Sequence, residues 1–392
     1  MRILQLTSDW KWTGPAAPML ELLLAQRARG HGVELACPAP PPGEEISLWR
    51  AARAAGAEPV LEVSRARGVI WWRDTPDVER LRALLEAGDY DVIHAWHTRD
   101  HVLAVRAAAE RRRGGRTRVA RTHPGASKLP RWPWARWLFG PATDALFCVS
   151  PGTARANARA RRGRPIAGAF GAVDLARFAP RPPDAALRGA LGLVPEDRVV
   201  GIVARVQPRR RFDLLLAAMA RLVRIEPRAR LLVVGRGTRF DETVREPALR
   251  MGLADRVVFA GYRSDDYADV LRSSDIFTLL VPGSDGTCRA LLEAAACGIP
   301  AVTTRRGAFP EIVAHGETGL VVEEEPEALA RAWRALLADE GRRAALGAAA
   351  RQRAEALFSP GRLAEQVEQL YREAGAGWRA SAGVRKRGSP WS

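Results

Sequence analysis

The sequence predicts an α/β protein of two doubly wound domains, each a parallel sheet covered by helices. Three observations support this fold class. Short apolar runs alternate with helix-length stretches along all 392 residues. Several runs are apolar at every position, which is typical of strands buried on both faces. The whole series occurs twice, and a proline-rich segment at 179–198 separates the two passes.

Each pass contains a series of apolar runs that predict strands. In the first half they are RILQL, GVELA, DVIHAWH, RVART, ALFCVS and RPIAGAF. In the second half they are RVVGIVARV, RLLVVG, RVVFAGY, IFTLLV, PAVTT and TGLVV. The helical patterns between them include 15–29, 77–87, 100–113, 212–224, 285–297 and 326–338.

These elements divide the chain into successive segments. We predict an N-terminal domain over 1–178, a linker over 179–198, a C-terminal domain over 199–358, a helix over 359–375 and a tail over 376–392. The tail has few apolar residues to bury and is predicted to be disordered.

Composition excludes several classes of protein. A chain with 47% apolar residues is not mainly disordered. Its four cysteines form no CxxC pair, which argues against a disulfide scaffold or a zinc site and favours a reducing compartment. The first residues do not resemble a signal peptide, and no run of about 18 apolar residues occurs. We therefore predict a cytoplasmic protein.

The formal net charge is +17, and most of it lies in one segment. Residues 101–180 hold 16 basic and 3 acidic side chains, a net charge of +13. So basic a chain suggests a nucleic-acid-binding protein as one hypothesis. The sequence carries no helix-turn-helix, RNP or zinc-finger signature, so we predict no nucleic-acid partner.

Open parallel sheets bind ligands at the carboxyl ends of their strands, and two such domains facing each other form a cleft. The loops after the strands are therefore the expected site. Gly14 follows the first strand at the turn into a helix, where the backbone can approach an anion. Taken alone, Gly14 is better explained by an ordinary strand-to-helix turn, and the full G-x-G-x-x-G pattern is absent, which argues against a dinucleotide site.

Arginines follow the first strand of the second domain. Arg205 is succeeded by Arg209, Arg210 and Arg211 just before a helix. Guanidinium groups in a loop at the carboxyl edge of a sheet can hold a diphosphate in a bidentate manner. A solvated run of charges is the alternative interpretation.

The segment 276–313 is the most informative. Asp285 can cap the helix that starts near it. Glu293 lies eight residues later in a run that looks buried, where a carboxylate needs a partner such as a ligand hydroxyl. Backbone amides at Gly286, Thr287 and Cys288 could donate to a sugar or phosphate oxygen. One cap and one structural glutamate is the alternative.

Together these motifs resemble the family 4 (group 1) glycosyltransferases. The family signature is similar to DGTCRALLE, AAACGIPAV and GAFPEIV within 285–313. Further similar segments follow in the family order: LLLAQRARGHGVEL, DVIHAWH, RTHPG, GAVDLARFAP, ARVQPRRRFDLLL, VVGRG, VVFAGY and HGETGLVV. The resemblance implies the GT-B fold, in which two Rossmann-like domains face each other across a cleft. It also implies a retaining glycosyltransferase whose substrate is a nucleoside-diphosphate sugar.

The resemblance also implies a role for each matching position. Arg205 and Arg210 would bind the donor diphosphate, with Gly14 in the loop near it. Asp285 would bind the transferred sugar, and the amides at Gly286, Thr287 and Cys288 named above are further candidates for that sugar. Glu293 would bind the ribose, and Gly261 and Tyr262 would lie near the base. His123 and His97 would be the catalytic candidates on the acceptor side. Three departures occur: Asp285 replaces a glutamate, Arg210 a lysine and Phe170 an asparagine. The first two put the identity of the donor in doubt. His123 could equally be structural.

The chemistry follows from the charge of the leaving group. Preplaced guanidiniums can stabilise a departing nucleoside diphosphate, and a divalent metal is the other common solution. The D-x-D at Asp89–Asp91 precedes its strand and lies at the wrong end of the sheet. We therefore predict metal-independent transfer, without a cofactor, to a glycan, lipid-linked or small-molecule acceptor. A nucleotide-sugar-binding protein without transfer activity is the alternative.

The segment 127–139 combines aromatic and basic residues. It contains Trp132, Trp134, Trp137, Arg131 and Arg136. Such a segment suits the headgroup layer of an anionic membrane and would place the enzyme peripherally at its inner face. Stacking on an acceptor sugar and a helix with buried tryptophans are the alternatives.

Overall fold

The computed structural model describes residues 1–12, 16–66, 68–70, 72–125, 128–283, 286 and 288–385. The chain folds into two compact units. Unit 1 comprises Met1–Phe170 and the segment from Pro360 onward, and unit 2 comprises Gly171–Ser359. The predicted fold class, two doubly wound Rossmann-like domains, is confirmed.

Unit 1 is a six-stranded parallel sheet covered by helices. Its strands are β1 (Arg2–Leu6), β2 (Gly32–Ala36), β3 (Val92–Ala95), β4 (Arg118–His123), β5 (Ala145–Cys148) and β6 (Ile166–Gly168). Its first helices are α1 (Ala16–Ala28), α2 (Leu48–Ala54), α3 (Thr75–Gly88), α4 (Thr98–Ala107), α5 (Ala109–Arg113), α6 (Pro133–Phe139) and α7 (Pro151–Arg161). The strand order is β2-β1-β3-β4-β5-β6.

Unit 2 is a second six-stranded parallel sheet. Its strands are β7 (Arg198–Val203), β8 (Ala229–Val234), β9 (Val257–Gly261), β10 (Ile276–Leu279), β11 (Ala301–Thr304) and β12 (Gly319–Val322). Its helices are α8 (Ala185–Ala190), α9 (Phe212–Leu222), α10 (Glu246–Arg250), α11 (Tyr267–Arg272), α12 (Arg289–Ala296), α13 (Phe309–Ile312), α14 (Pro326–Ala338) and α15 (Glu340–Leu357). The strand order is β12-β11-β10-β7-β8-β9.

The final helix, α16 (Pro360–Arg385), belongs to unit 1 although it follows unit 2 in the chain. Leu363, Val367, Leu370 and Tyr371 are at most 4% exposed, and their spacing forms one apolar stripe. This stripe is buried where the helix packs into unit 1. The helix also runs past residue 375, where the sequence predicted it to end and a disordered tail to begin.

Each sheet has one point where the strand order reverses direction. In unit 1 it lies between β1 and β3, and in unit 2 between β7 and β10. Ligands of open parallel sheets bind outside the carboxyl ends of the strands at such a point. The loops after these four strands are therefore where functional residues are expected.

Candidate active site

The loop after β7 is held against the loop after β8 by backbone contacts. The amide of Ala204 donates to the carbonyl of Val234 at 3.0 Å, and that of Val206 to the carbonyl of Arg236 at 3.1 Å. Gly235 has φ +142, and a Cβ there would overlap the carbonyl oxygen of Ala204. The glycine lets the two loops approach, and this places Arg205 at the carboxyl edge of the sheet.

The arginines of this loop differ in their surroundings. Arg205 is exposed and makes no hydrogen bond or ion pair with the described residues. Arg210 is only 7% exposed, at the end of a short 3-10 turn. Arg209 is exposed, and Arg211 forms an ion pair with Asp213 at 3.1 Å. A solvated charge run therefore describes Arg209 and Arg211 but not Arg210, which is buried.

Helix α12 follows the loop after β10, and it starts later than the sequence predicted. It begins at Arg289, and Cys288 occupies the N-cap position with φ +52. The N-cap position therefore lies three residues later in the chain than the sequence predicted. The amide of Gly286 donates to the carbonyl of Gly283 at 3.2 Å, so this amide is not free for a ligand as the sequence suggested. Asp285 and Thr287 lie outside the described residues, as does Gly14.

Glu293 lies inside α12 and is 2% exposed. One carboxylate oxygen accepts a hydrogen bond from the hydroxyl of Tyr267 at 2.6 Å. The other forms an ion pair with Arg289, also at 2.6 Å. Burial, together with the charge of Glu293, raises the pKa of Tyr267 well above its usual value, so Tyr267 remains a donor. A carboxylate has about four lone-pair sites, so a ligand hydroxyl can still bind.

The predicted base-side residues lie at the end of β9. Gly261 adopts φ +70 beside a bulge in the β8–β9 pairing, and Tyr262 is 50% exposed. The guanidinium of Arg236 lies 4.8 Å from the centre of the Tyr262 ring, within the range of a cation–π contact. Sequence reasoning missed Arg236 and Tyr267. The signal for Arg236 was its place two residues after the end of β8, just as Arg205 lies two residues after the end of β7.

In unit 1 the reversal point brings His97 next to the loop after β1. Its Nδ1 lies 3.1 Å from the hydroxyl oxygen of Thr7 and 3.0 Å from the Asp100 carboxylate. Asp100 is fully buried and also accepts from the amides of Ser8 and His97, each at 2.7 Å. This carboxylate therefore joins the two loops. The spacing of a helix cap and its third residue could have revealed Asp100 in the sequence.

Asp100 also sets the proton affinity of His97. Burial by itself would lower the pKa of His97, but the hydrogen bond and charge of Asp100 outweigh it and raise the pKa. If the Asp100 contact holds Nδ1, the opposite ring nitrogen is the one available to a ligand. An imidazole in this position can serve as a general acid or base.

His123 is the last residue of β4 and is 8% exposed. Ala95 of β3 pairs with Arg121 of β4, and His97 and His123 each lie two residues beyond that pair. Both histidines therefore lie at the carboxyl edge of the unit 1 sheet. His123 packs edge-on against Phe139, with ring centres 6.2 Å apart. This contact is compatible with a structural as well as a catalytic role.

The two carboxylates of the D-x-D motif make structural contacts. Asp89 forms an ion pair with Arg111 at 2.6 Å, and Asp91 accepts from the backbone amide of Arg2 at 2.8 Å. Both lie at the amino end of β3. Within the described ranges, no group of three or more His, Cys, Asp or Glu side chains is placed to hold a metal ion.

The tryptophans of the basic segment lie on the surface of unit 1. Trp132 is 63% exposed, Trp134 47% and Trp137 53%. The alternative of a helix with buried tryptophans is therefore wrong, because the buried face of α6 consists of Ala135, Leu138 and Phe139. No helix among the described residues has the length and apolar character needed to cross a bilayer.

Two family models match the chain. The model for glycosyl transferases group 1 matches residues 184–353, and the model for Glycosyltransferase Family 4 matches residues 13–177.

The chain is also similar to curated proteins and solved structures. A GDP-mannose-dependent alpha-(1-6)-phosphatidylinositol monomannoside mannosyltransferase of Mycolicibacterium smegmatis is 35% identical over 295 residues, which is 69% of this chain and 74% of the relative. A D-inositol 3-phosphate glycosyltransferase of Rhodococcus jostii is 38% identical over 212 residues, 52% of this chain and 46% of the relative. The structure of Anabaena Alr3699/HepE in complex with UDP superposes with a TM-score of 0.79 at 21% identity, covering 94% of this chain and 99% of that one.

Proposed function

Because this chain belongs to the family 4 (group 1) glycosyltransferases, we propose that it transfers a hexose from a nucleoside-diphosphate sugar with retention at the anomeric carbon and without a divalent metal. Unit 2 binds the donor in this proposal, and unit 1 binds the acceptor. No resident cofactor is required, since the nucleotide sugar is itself the substrate.

The observation that carries the proposal is the position of the cations in unit 2. Arg205 and Arg210 follow β7, and Glu293 lies in the helix that follows β10. These two strands flank the reversal point of the sheet, where α/β proteins bind nucleotides. Arg205 is exposed to an incoming ligand, while Arg210 is held in place by burial.

The proposed mechanism rests on charge that develops on the leaving group. As the glycosidic bond breaks, negative charge grows on the nucleoside diphosphate, and preplaced guanidiniums stabilise it without reorganisation. Removing one such donor group costs about 3 kcal/mol, or ~10²-fold in rate. The structural contacts of Asp89 and Asp91 favour these arginines over a metal at the D-x-D motif.

We propose GDP-mannose as the first donor to test. Two relatives named GDP-mannose-dependent mannosyltransferases are 35% and 32% identical to this chain. A UDP-sugar is the second choice, because a structural neighbour was solved with UDP-glucose. The substitution of aspartate for glutamate at position 285 bears on which sugar is accepted, because the side chain is one methylene shorter.

The acceptor side of the proposal rests on His97 and His123 at the sheet edge of unit 1. One of them orients or deprotonates the acceptor hydroxyl. The exposed tryptophans and cations of the α6 segment dock the enzyme on an anionic membrane, next to a lipid-linked acceptor. Co-sedimentation with neutral and anionic vesicles tests the docking, which requires stronger binding to the anionic ones.

The donor site is tested by Arg205→Ala and Arg210→Ala, with Arg209→Ala as the matched control in the same loop. We expect GDP or UDP to raise the melting temperature of the wild type and the control but much less that of the two variants. Transfer from GDP-mannose should fall ~10²-fold in each variant and persist in EDTA. Equal activity of all three variants would refute the diphosphate site. Donor binding without transfer to any acceptor would favour the nucleotide-sugar-binding alternative.

A further inference from the structure

Unit 1 contains an apolar cavity of about 410 Å³ between α4 and α6. Six apolar side chains line it: Val69, Val102, Val105, Trp134, Trp137 and Leu138. Its volume lies within the range of cavities that hold small ligands in proteins. None of these residues belongs to the donor site or to the histidine pair.

The cavity connects the solvent with the core of unit 1. Val102 and Leu138 are 4% and 1% exposed and belong to the main core cluster of the unit. Trp134 and Trp137, at the other end, are about half exposed. The two indoles therefore line the solvent-exposed end of the cavity. An apolar opening of this size in water favours an apolar occupant.

Basic residues flank the two cavity tryptophans in the chain. Lys128, Arg131 and Arg136 are exposed, and none of them forms an ion pair with the described residues. Arg106 also lines the cavity, and its guanidinium donates to the hydroxyl of Thr75 at 3.3 Å. An apolar cavity whose tryptophans have exposed basic residues as chain neighbours matches a molecule that has a hydrocarbon tail and an anionic head.

We propose that this cavity binds one hydrocarbon chain of an anionic membrane lipid, whose headgroup lies against the cations of the α6 segment. The exposed indoles then lie at the level of the headgroups, where tryptophan is enriched in membrane-bound proteins. The inference deepens the proposed membrane docking and rests on it. It adds that a lipid tail leaves the bilayer core to enter the protein, so binding depends on the cavity as well as on surface charge.

The test fills the cavity without changing the charge. Val105→Phe enlarges a side chain that lines it, and Val60→Phe makes the same change at a position that is 41% exposed and does not line it. Flotation with phosphatidylcholine vesicles, with and without phosphatidylglycerol, measures binding. We expect Val105→Phe to weaken binding to the anionic vesicles about tenfold or more. The Val60→Phe control should bind like the wild type.

A second variant and a second measurement keep the test decisive. Val69→Phe fills the cavity from the loop side and replaces Val105→Phe if that variant has a lowered melting temperature. Vesicles with brominated acyl chains should quench the fluorescence of Trp137, measured as the difference between the wild type and Trp137→Phe. Wild-type-like binding by folded cavity variants would overturn the inference and leave surface docking intact. Absence of binding to any vesicle would overturn both, whereas GDP binding tests the donor site separately.

Discussion

Replacing Glu293 with glutamine distinguishes a ribose-binding carboxylate from a structural one. Each oxygen of Glu293 has a protein partner at 2.6 Å, the Tyr267 hydroxyl and the Arg289 guanidinium. Glutamine has the same shape, but its amide nitrogen must face one of these donors. A hydrogen bond to a charged group contributes about 1.5–3 kcal/mol, so we expect the free energy of unfolding to fall by about 2 kcal/mol. Urea unfolding measures this loss.

The effect on ligand binding is the informative part. If a ribose hydroxyl also donates to Glu293, the loss of charge should weaken nucleoside diphosphate binding by about 2 kcal/mol, or ~30-fold. A nucleotide that lacks both ribose hydroxyls should bind the wild type and Glu293→Gln almost equally. This comparison is a double-mutant cycle between protein and ligand. Isothermal titration calorimetry with GDP and with dideoxy-GDP provides the four affinities.

One result would refute the reasoning. If Glu293→Gln weakens GDP and dideoxy-GDP by the same factor, the carboxylate acts only through the fold. Tyr267→Phe is the matched control, because it removes one hydrogen bond to Glu293 but keeps the charge. We expect it to lower the unfolding free energy while GDP affinity changes less than threefold.

Three further predictions concern stability and proton affinity. Asp100→Asn should lower the pKa of His97, because the hydrogen bond and the charge that raise it are lost, and should destabilise the fold by about 3 kcal/mol. An unchanged His97 titration by NMR would contradict the link. Burial alone would raise the pKa of Asp77, but hydrogen bonds from a serine and two arginines outweigh it and lower the pKa. The ionised Asp77 should therefore stabilise the fold above about pH 4, and this contribution should be lost as the pH falls through the lowered pKa of Asp77. The urea midpoints of the wild type and Asp77→Asn should then converge in acid, whereas midpoints that stay parallel would contradict this. Gly235→Ala should lower the free energy of unfolding by about 2 kcal/mol, because Gly235 has a positive φ and a Cβ there would overlap a carbonyl oxygen. The control Gly189→Ala in α8, where a Cβ meets nothing, should be neutral or stabilising. Equal melting temperatures of the two variants would argue against strain at Gly235.

Hydrophobic periodicity was sufficient to predict the architecture. Local sequence patterns predict individual elements, such as the continuous apolar runs of β7 and β10 and the amphipathic pattern of α9. The order of the elements could therefore be predicted from the sequence. The place of α16 did not, because its stripe of Leu363 and Val367 shows that it packs but not against which unit. Only contacts distant in the chain decide that.

The candidate site shows the same difference between features that local sequence predicts and features that depend on contacts distant in the chain. Arg205 was singled out because it follows a strand, and Glu293 because it is a carboxylate in an apolar run. The structure has Arg205 exposed after β7 and Glu293 buried within α12, and their roles in binding stay predictions. The start of α12 was predicted too early because Gly286 and Cys288 take left-handed conformations that continue the loop. The partners Tyr267 and Asp100 were missed, because hydrogen bonds between side chains depend on packing that a single sequence does not display.

Because α16 completes unit 1, synthesis of the chain imposes an order on folding. The buried ring of His94 binds the hydroxyl of Tyr371 at 2.6 Å, and Glu368, fully buried, pairs with Arg29 at 2.9 Å. Both partners emerge from the ribosome only after all of unit 2. Unit 2 is continuous in sequence and can fold while unit 1 still lacks a helix. A nascent chain stalled before residue 360 should thus expose the uncovered sheet face of unit 1 to chaperones and proteases.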